Sequence, residues 1–487
     1  MNLIGVEMLF FLPIVWGIYW MLPPSATIQN AWLLLTSCVF YASWGPQLLF
    51  VFLSWAAVDY GVGSALYWEQ RPEKRRGLLG VSIAWNVGFL IFFKYVGFFA
   101  ESLNALLWNM GVPASVPVMR ILLPLGLSYI ALLKLGYVID VYYRRIEPCR
   151  SPLTFATFVC FFPQLLAGPI PRARQLLPQY STPRTLQPEM IASGALTFLL
   201  GFTMKAFVAN WMGPYVVDPI FADSANFSRA MHVGAVFGYA LQVFCDFAGY
   251  SFLAIGTGRL LGIELPENFR RPFLAKSLPE FWQRWHITLN TWLFDYLYSP
   301  ITTSRSFMRG RYALGFILVF LVSGIWHGAQ WGFVIWGLMH GFGLVVHYFW
   351  DKLWKILCRW DRDWVARRRS RPYQTASWVL TQGFFVLSLI PFRARTASGA
   401  LRFFNEMLHG TGTASIQFAS TNDSVALLLI LGFFLAYHAA VLPAGKQAWE
   451  RFTQLPAPVR GVSYGLAAVL LALFAPVGVG TFIYAQF

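Results

Sequence analysis

The chain has 487 residues, 57% of them hydrophobic and 12% charged, with a mean hydropathy of +0.54. Soluble domains carry about 25% charged residues, so this composition excludes an ordinary soluble enzyme and points to an all-α polytopic membrane protein. The formal net charge of +16 sits in short loops between apolar runs, as expected where Lys and Arg mark cytoplasmic loops, and no basic domain stands apart to suggest a nucleic-acid partner.

Five cysteines, Cys38, Cys149, Cys160, Cys245 and Cys358, form no close pair, so neither a disulfide framework nor a zinc pattern is present. A spanning helix needs about 20 apolar residues. The candidates begin with Met8–Leu22, read as a retained helix rather than a cleaved signal, and a long pair over Ala31–Tyr67. The basic loop Glu69–Arg76 is expected inside, Gly77–Phe99 crosses, and the nearly uncharged Glu101–Met119 lies outside. Ile121–Val141 returns to a second basic patch, Tyr142–Arg150. Pro124 and Gly126 should make the start of that span irregular.

Leu153–Gln179 is apolar but interrupted by Pro163, Gly168, Pro169 and Pro171. Such a stretch fits a re-entrant segment whose backbone faces protein or a water-filled cavity. Gln187–Trp211 and His232–Leu261 are spans, the second carrying Gln242, Asp246 and Tyr250. Deep carboxylates are often structural partners, and Asp246 is read that way more than as a catalyst.

Glu264–Arg311 is polar, aromatic and basic, suited to interfacial helices. Within it, Leu278–Tyr298 has amphipathic spacing through Phe281, Trp285, Leu289, Trp292 and Tyr296. Ser277 with Glu280 predicts a capping box, and His286 with Asn290, four apart, predicts one helix face.

Leu314–Gly341 is apolar enough for a bilayer, yet it holds Ser323, Trp326, His327, Gln330 and His340. An ionisable ring at that depth is a functional-site hypothesis, with a hydrogen-bonded structural histidine as the alternative. Asp351–Tyr373 is strongly basic and expected inside. Gln374–Pro391 goes out, Ala397–Ser424 is external, Val425–Val441 returns to the basic loop Gly445–Arg460, and Val462–Tyr484 goes out. The total is about ten or eleven spans. One domain is expected over residues 1–487: N-terminal helices (1–150), a catalytic core (151–350) with the re-entrant segment 153–179 and the interfacial region 264–311, and C-terminal helices (351–487).

The constellation that carries chemistry is the pair His286 and His327. Histidine can take a proton from a hydroxyl near neutral pH, so it could activate a hydroxyl against an acyl carbonyl, and apolar surroundings favour the neutral ring that a base needs. Gly324, Gly328 and Gly332 allow close approach of backbone or substrate, or equally of another helix. There is no GxSxG, HExxH or phosphate loop. His340 and His347, seven apart, lack the further ligands a metal would need. A transporter is the competing class, because Asp246, Lys134 and the broken segment could serve a relay, but the inverted repeats common in transporters are not found.

With these residues in view, the sequence resembles the membrane-bound O-acyltransferase (MBOAT) family, in particular the bacterial branch that acetylates exopolysaccharides such as alginate and cellulose. The D-alanyl transfer protein of teichoic acid synthesis is a cousin. The resemblance rests on PENF at Pro266–Phe269, FWQRWHITLNTWLFDYLY at Phe281–Tyr298 and SGIWHGAQWGFVIWGLMHG at Ser323–Gly341. Weaker matches are FFPQLLAGPIPR at Phe161–Arg172, YVIDVYY at Tyr137–Tyr143 and DFAGYS at Asp246–Ser251.

The resemblance implies a ring of helices around a thin centre, where a funnel from outside meets a cytoplasmic tunnel. It makes His327 the principal catalytic histidine and His286 the second. Trp326, Gln283, Arg284, Asn268, Asp246, Gln242, Tyr250 and Ser323 would support the site or line the tunnel. No bound cofactor is implied. The donor would be acetyl-CoA, the location the bacterial inner membrane, and the partners the lipid bilayer, an SGNH-type periplasmic or membrane-anchored acetyltransferase and the polysaccharide machinery. D-alanyl or another acyl group is the alternative cargo. Ala248 and Phe252 replace the Ser and Asp usual in the family, and Lys134 stands at a usually polar position. Both sites are expected to line the tunnel.

Overall fold

In a computed structural model of the chain, the described residues run from 1 to 466 except 2, 120, 122–123, 304–307, 362, 415, 417–420, 440–446, 448–450, 453, 457 and 464. The expected span Val462–Tyr484 lies almost wholly outside them. Among the described residues there is no sheet, only one bridge from Phe227 to Ala414.

The helices are α1 (Val6–Met21), α2 (Ala26–Ala42), α3 (Pro46–Trp68), α4 (Pro72–Asn109), α5 (Leu127–Tyr142), α6 (Pro152–Cys160), α7 (Ala173–Ser181), α8 (Pro188–Ala222), α9 (Arg229–Leu260), α10 (Leu278–Trp282) and α11 (Ile287–Leu293), which runs on through a π turn, Phe294–Tyr298, into Ser299–Thr303. After them come α12 (Tyr312–His327), α13 (Trp331–Trp360), α14 (Asp363–Arg369), α15 (Arg371–Ala394), α16 (Ala397–His409) and α17 (Thr421–Ala439).

By length and composition six described helices can cross a membrane: α3, α4, α8, α9, α13 and α15. Shorter apolar helices cover Phe10–Met21, Tyr312–His327 and Val425–Ala439. Three expected spans fall among these shorter helices, Val462–Tyr484 lies almost wholly outside the described residues, and one further expected span is shortened. The region read as Ile121–Val141 becomes a 16-residue helix starting only at Leu127, and other helices enclose almost all of it. Gly126, at φ +69°, begins it, and a Cβ there would lie 2.1 Å from the carbonyl oxygen of Leu165. Glycine is therefore required where the irregular start of α5 meets the segment after α6.

That segment behaves as its prolines predict. Between α6 and α7 the chain from Phe161 to Arg172 is non-helical and almost wholly buried. Its backbone groups find partners in side chains, as buried amides must. Phe162 N–H donates to Ser37 Oγ at 3.1 Å, and Ile170 N–H to Thr288 Oγ1 at 3.0 Å. The Pro169 carbonyl accepts from the Tyr129 hydroxyl at 2.7 Å.

Around this centre α9 packs on α8 and α16, α12 on α13, and α13 on α15. The α12–α13 contact is set by small residues. A Cβ on Gly337 would meet the Phe320 carbonyl oxygen at 2.4 Å, and one on Gly324 the Phe333 carbonyl oxygen at 2.3 Å. In these helices, then, Gly324 serves backbone-to-backbone packing, the means by which helices associate where solvent offers no hydrophobic drive. Ala397–Ser424, expected as an external loop, contains the helix α16, which buries Ala400 and Phe403 and exposes Leu401 and Leu408.

Candidate active site

The expected long amphipathic helix over Leu278–Tyr298 is broken. Ser277 Oγ accepts from Glu280 N–H at 3.3 Å and so caps α10, while Glu280 Oε2 accepts from Lys276 N–H at 2.8 Å rather than from Ser277. After Trp282 the chain leaves the helix because its backbone pairs instead with Asn268 of the PENF segment and with Arg270 just beyond it. Arg270 N–H donates to the Arg284 carbonyl at 2.8 Å, and Ile287 N–H to the Asn268 carbonyl at 2.9 Å. His286 is left in the left-handed region, φ 46°, at the start of α11. It therefore does not share a helix face with Asn290 as the spacing suggested. Such strained conformations persist only where surrounding contacts over-determine them.

Those contacts are specific. Asn268 Oδ1 lies 3.2 Å from His286 Nδ1 and accepts from Thr288 N–H at 3.2 Å and from Thr288 Oγ1 at 2.8 Å. Asn268 Nδ2 donates to Ser251 Oγ at 3.0 Å. The His286 ring meets Phe247 edge-on at 4.5 Å and lies 6.0 Å from the Trp326 ring. Its Nε2 is buried with no hydrogen-bond partner among the described residues.

His327 ends α12, and Gly328 leaves the helix in an extended conformation. His327 is 5% exposed. It contacts Trp326 at 5.0 Å, Trp336 edge-on at 5.0 Å and Phe392 at 5.5 Å. The Trp326 indole thus touches both histidines, and its Nε1–H donates to the Ser128 carbonyl at 3.2 Å. Ser323, one turn earlier on α12, is also buried.

The last carbonyls of a helix lack partners within it. Here α4 supplies them. The Tyr95 hydroxyl donates to the Ile325 carbonyl at 2.7 Å. Lys94 Nζ donates to the carbonyls of Trp326 at 2.8 Å and His327 at 3.1 Å. Sequence reasoning passed over Lys94, although it is the one charged residue in the run Gly77–Phe99 and that isolation was the available signal.

The other expected residues lie in different surroundings. Gln283 is on the exposed side. It lines a cavity of about 430 Å³ together with Asn290, Phe294, Tyr298, His347 and Asp351. Arg284 pairs with Glu280 at 2.8 Å. Asp246 forms a buried ion pair with Lys205. It points about 100° round α9 from Phe247, the residue that meets His286. Gln242 packs on the backbone of Gly213, and Tyr250 is fully buried.

Lys134, expected to line the tunnel, does not. It is fully buried, 2.9 Å from Asp59 Oδ2, donates to the Trp55 carbonyl at 3.0 Å, and lies over the Trp55 ring at 3.4 Å. Asp59 also accepts from Ser82 and Asn86. The packing of α3, α4 and α5 consumes this group. Ala248 is likewise fully buried. Among the described residues no group of three His, Cys, Asp or Glu side chains could hold a metal ion.

The chain is similar in sequence to known proteins. The family described as MBOAT, membrane-bound O-acyltransferase family, matches residues 148–367. A probable alginate O-acetylase of Azotobacter vinelandii is 32% identical over 483 residues, covering 97% of this chain and 93% of the relative. The peptidoglycan O-acetyltransferase of Helicobacter pylori is 30% identical over 498 residues, covering 91% and 90%. A teichoic acid D-alanyltransferase of Bacillus subtilis is 28% identical over 244 residues, covering 48% and 61%.

Proposed function

Because the chain belongs to the membrane-bound O-acyltransferase family, and is therefore a multi-pass membrane O-acyltransferase, we propose that it transfers an acetyl group from acetyl-CoA to an extracytoplasmic polysaccharide of the alginate kind, with His327 as the general base. The observation that carries this reading is the convergence of His327 and His286 on one indole, Trp326. There the chain leaves α12, and buried aromatic rings close round both histidines.

In this reaction the His327 imidazole takes the proton of the acceptor hydroxyl, and the oxygen attacks the thioester carbonyl. The tetrahedral oxyanion collapses, the C–S bond breaks, and the imidazolium returns its proton to the leaving thiolate. His286 presents an Nε2 without a partner among the described residues. It orients the acceptor from the other side of Trp326. The surrounding rings keep out water, which strengthens each polar contact within.

The donor approaches from the cytoplasm by the cavity that Gln283 and Asn290 line. Two of its walls, Trp282 and Phe320, reach the His340 ring at 5.0 and 6.0 Å, and Trp336 continues from His340 to His327. The acceptor is reached from the outer side of the bacterial inner membrane, either as the polymer itself or through an SGNH-type partner of the polysaccharide machinery. Acetyl is favoured over D-alanyl because the O-acetylating relatives match nearly the whole chain and the D-alanyl relative about half.

The test is His327→Ala in a polymer-producing cell. The protein should accumulate in the membrane at the normal level while the polymer loses its acetyl groups. Unchanged acetyl content in that strain would sink the reading.

A further inference from the structure

We propose that Lys94 is a positioning residue for His327, an inference that rests on the reading of His327 as the base. An ammonium group within a membrane-spanning helix is costly unless something in the protein requires it. No carboxylate among the described residues pairs with Lys94. Its partners are the Trp326 and His327 carbonyl oxygens and, at 3.4 Å, Ser128 Oγ.

Three consecutive carbonyls at the end of α12, those of residues 325, 326 and 327, are collected by two consecutive side chains, Lys94 and Tyr95. Adjacent residues on a regular α-helix point about 100° apart and could not readily share one target. Here α4 widens into a single π turn over Ile91–Tyr95, a feature that recurs at functional sites. The widened turn brings both side chains to one helix end.

A neutral donor would satisfy a carbonyl. The ammonium adds a positive charge at the negative end of the α12 dipole and makes each hydrogen bond charge-assisted. The same amine reaches Ser128, whose carbonyl holds the Trp326 indole. One group thus fixes the backbone of His327 and one edge of the ring beside it. Proton transfer depends on that placement, since an error of about 1 Å can cost about a hundredfold in rate.

The experiment compares Lys94→Met, Lys94→Arg, Tyr95→Phe and His327→Ala in membranes of the producing cell, where the acceptor and any partner are present. Thiol release from acetyl-CoA is measured per folded molecule, the folded amount being taken from size exclusion in detergent. Lys94→Met should lower the maximal rate about a hundredfold with KM for acetyl-CoA within about twofold. Lys94→Arg should restore the rate to within about tenfold of the parent. Tyr95→Phe, which frees only the Ile325 carbonyl, should lose less than Lys94→Met.

The proposal is overturned if Lys94→Met is fully active, if its KM rises while the rate holds, or if Lys94→Arg is folded yet no better than Lys94→Met. It also falls if neither lysine variant accumulates as folded protein, since the residue is then a folding element. Activity in His327→Ala would instead overturn the reading of the base, whatever the lysine variants do.

Discussion

His286 Nδ1 carries a proton because Asn268 Oδ1, 3.2 Å away, can only accept. The orientation of the amide is fixed independently. The same oxygen faces the backbone N–H of Thr288, which is a donor, and the amide nitrogen faces Ser251. Turning the amide over would set two N–H groups against each other. The tautomer of His286 follows, with its lone pair on Nε2, the atom left without a protein partner among the described residues.

Asn268→Ala should therefore damage more than one bond. It removes the acceptor of the His286 proton and leaves the buried Thr288 N–H unsatisfied, at a cost of about 1–3 kcal/mol. Thr288 in turn holds Ile170 of the re-entrant segment, so the loosening reaches two elements. The variant should melt earlier in detergent and lose acyl transfer beyond its loss of folded protein. Asn268→Asp keeps the acceptor and should retain the His286 tautomer and a larger share of the rate. Equal activity in the two variants would show that the tautomer does not matter.

Lys134 and Asp59 give a prediction of the opposite kind. Both are fully buried, and each is the other's charge partner. Removing one partner from a buried pair typically costs about 3–5 kcal/mol, because the remaining charge has nowhere to go. Lys134→Met should sharply lower thermal stability while leaving the rate per folded molecule near that of the parent. The double variant Lys134→Met with Asp59→Asn should recover part of the stability. A selective rise in KM for acetyl-CoA in Lys134→Met would instead return this residue to the donor route.

Lys134 also marks where sequence reading stops. A lysine in an apolar run is visible as an anomaly, but its partner lies 75 positions away on another helix, and no pattern within α5 points to Asp59. The break in Leu153–Gln179 was legible because proline acts locally. The break at His286 was not, because the backbone groups of Asn268 and Arg270 cause it from outside the segment. His327 could be found from its motif. Lys94 could not be assigned, because its role depends on where α4 runs relative to the end of α12.

The α12–α13 contact yields a stability prediction. Gly337→Ala already places a Cβ against the Phe320 carbonyl, and Gly337→Val adds branches where Gly324 Cα would stand 3.2 Å from that Cβ. Overpacking of this kind costs about 1–3 kcal/mol when the structure can shift. Here the contact is backbone against backbone, which gives little. Melting temperature should fall from parent to alanine to valine. The rate should fall with it, since the hairpin carries His327 at its turn. A valine variant as stable as the parent would mean that the helices are farther apart than the geometry requires.

The proposed donor route makes the last prediction. The cavity that Gln283 and Asn290 share is about 430 Å³, and two of its walls, Trp282 and Phe320, lead toward His327 through the rings of His340 and Trp336. Asn290 is half-buried on its wall, and its N–H donates to the His286 carbonyl at 3.0 Å, a backbone bond that Asn290→Trp retains while the new side chain fills the passage. A blocked approach weakens the donor in the ground state and the transition state alike, the signature of which is a raised KM with a preserved maximal rate. The expected change is about tenfold or more in KM for acetyl-CoA, with the saturated rate within about threefold. Gln283→Ala opens the same passage at its exposed edge and should change KM much less. If Asn290→Trp instead lowers the saturated rate and leaves KM alone, the side chain has disturbed the catalytic rings and the donor arrives by another path.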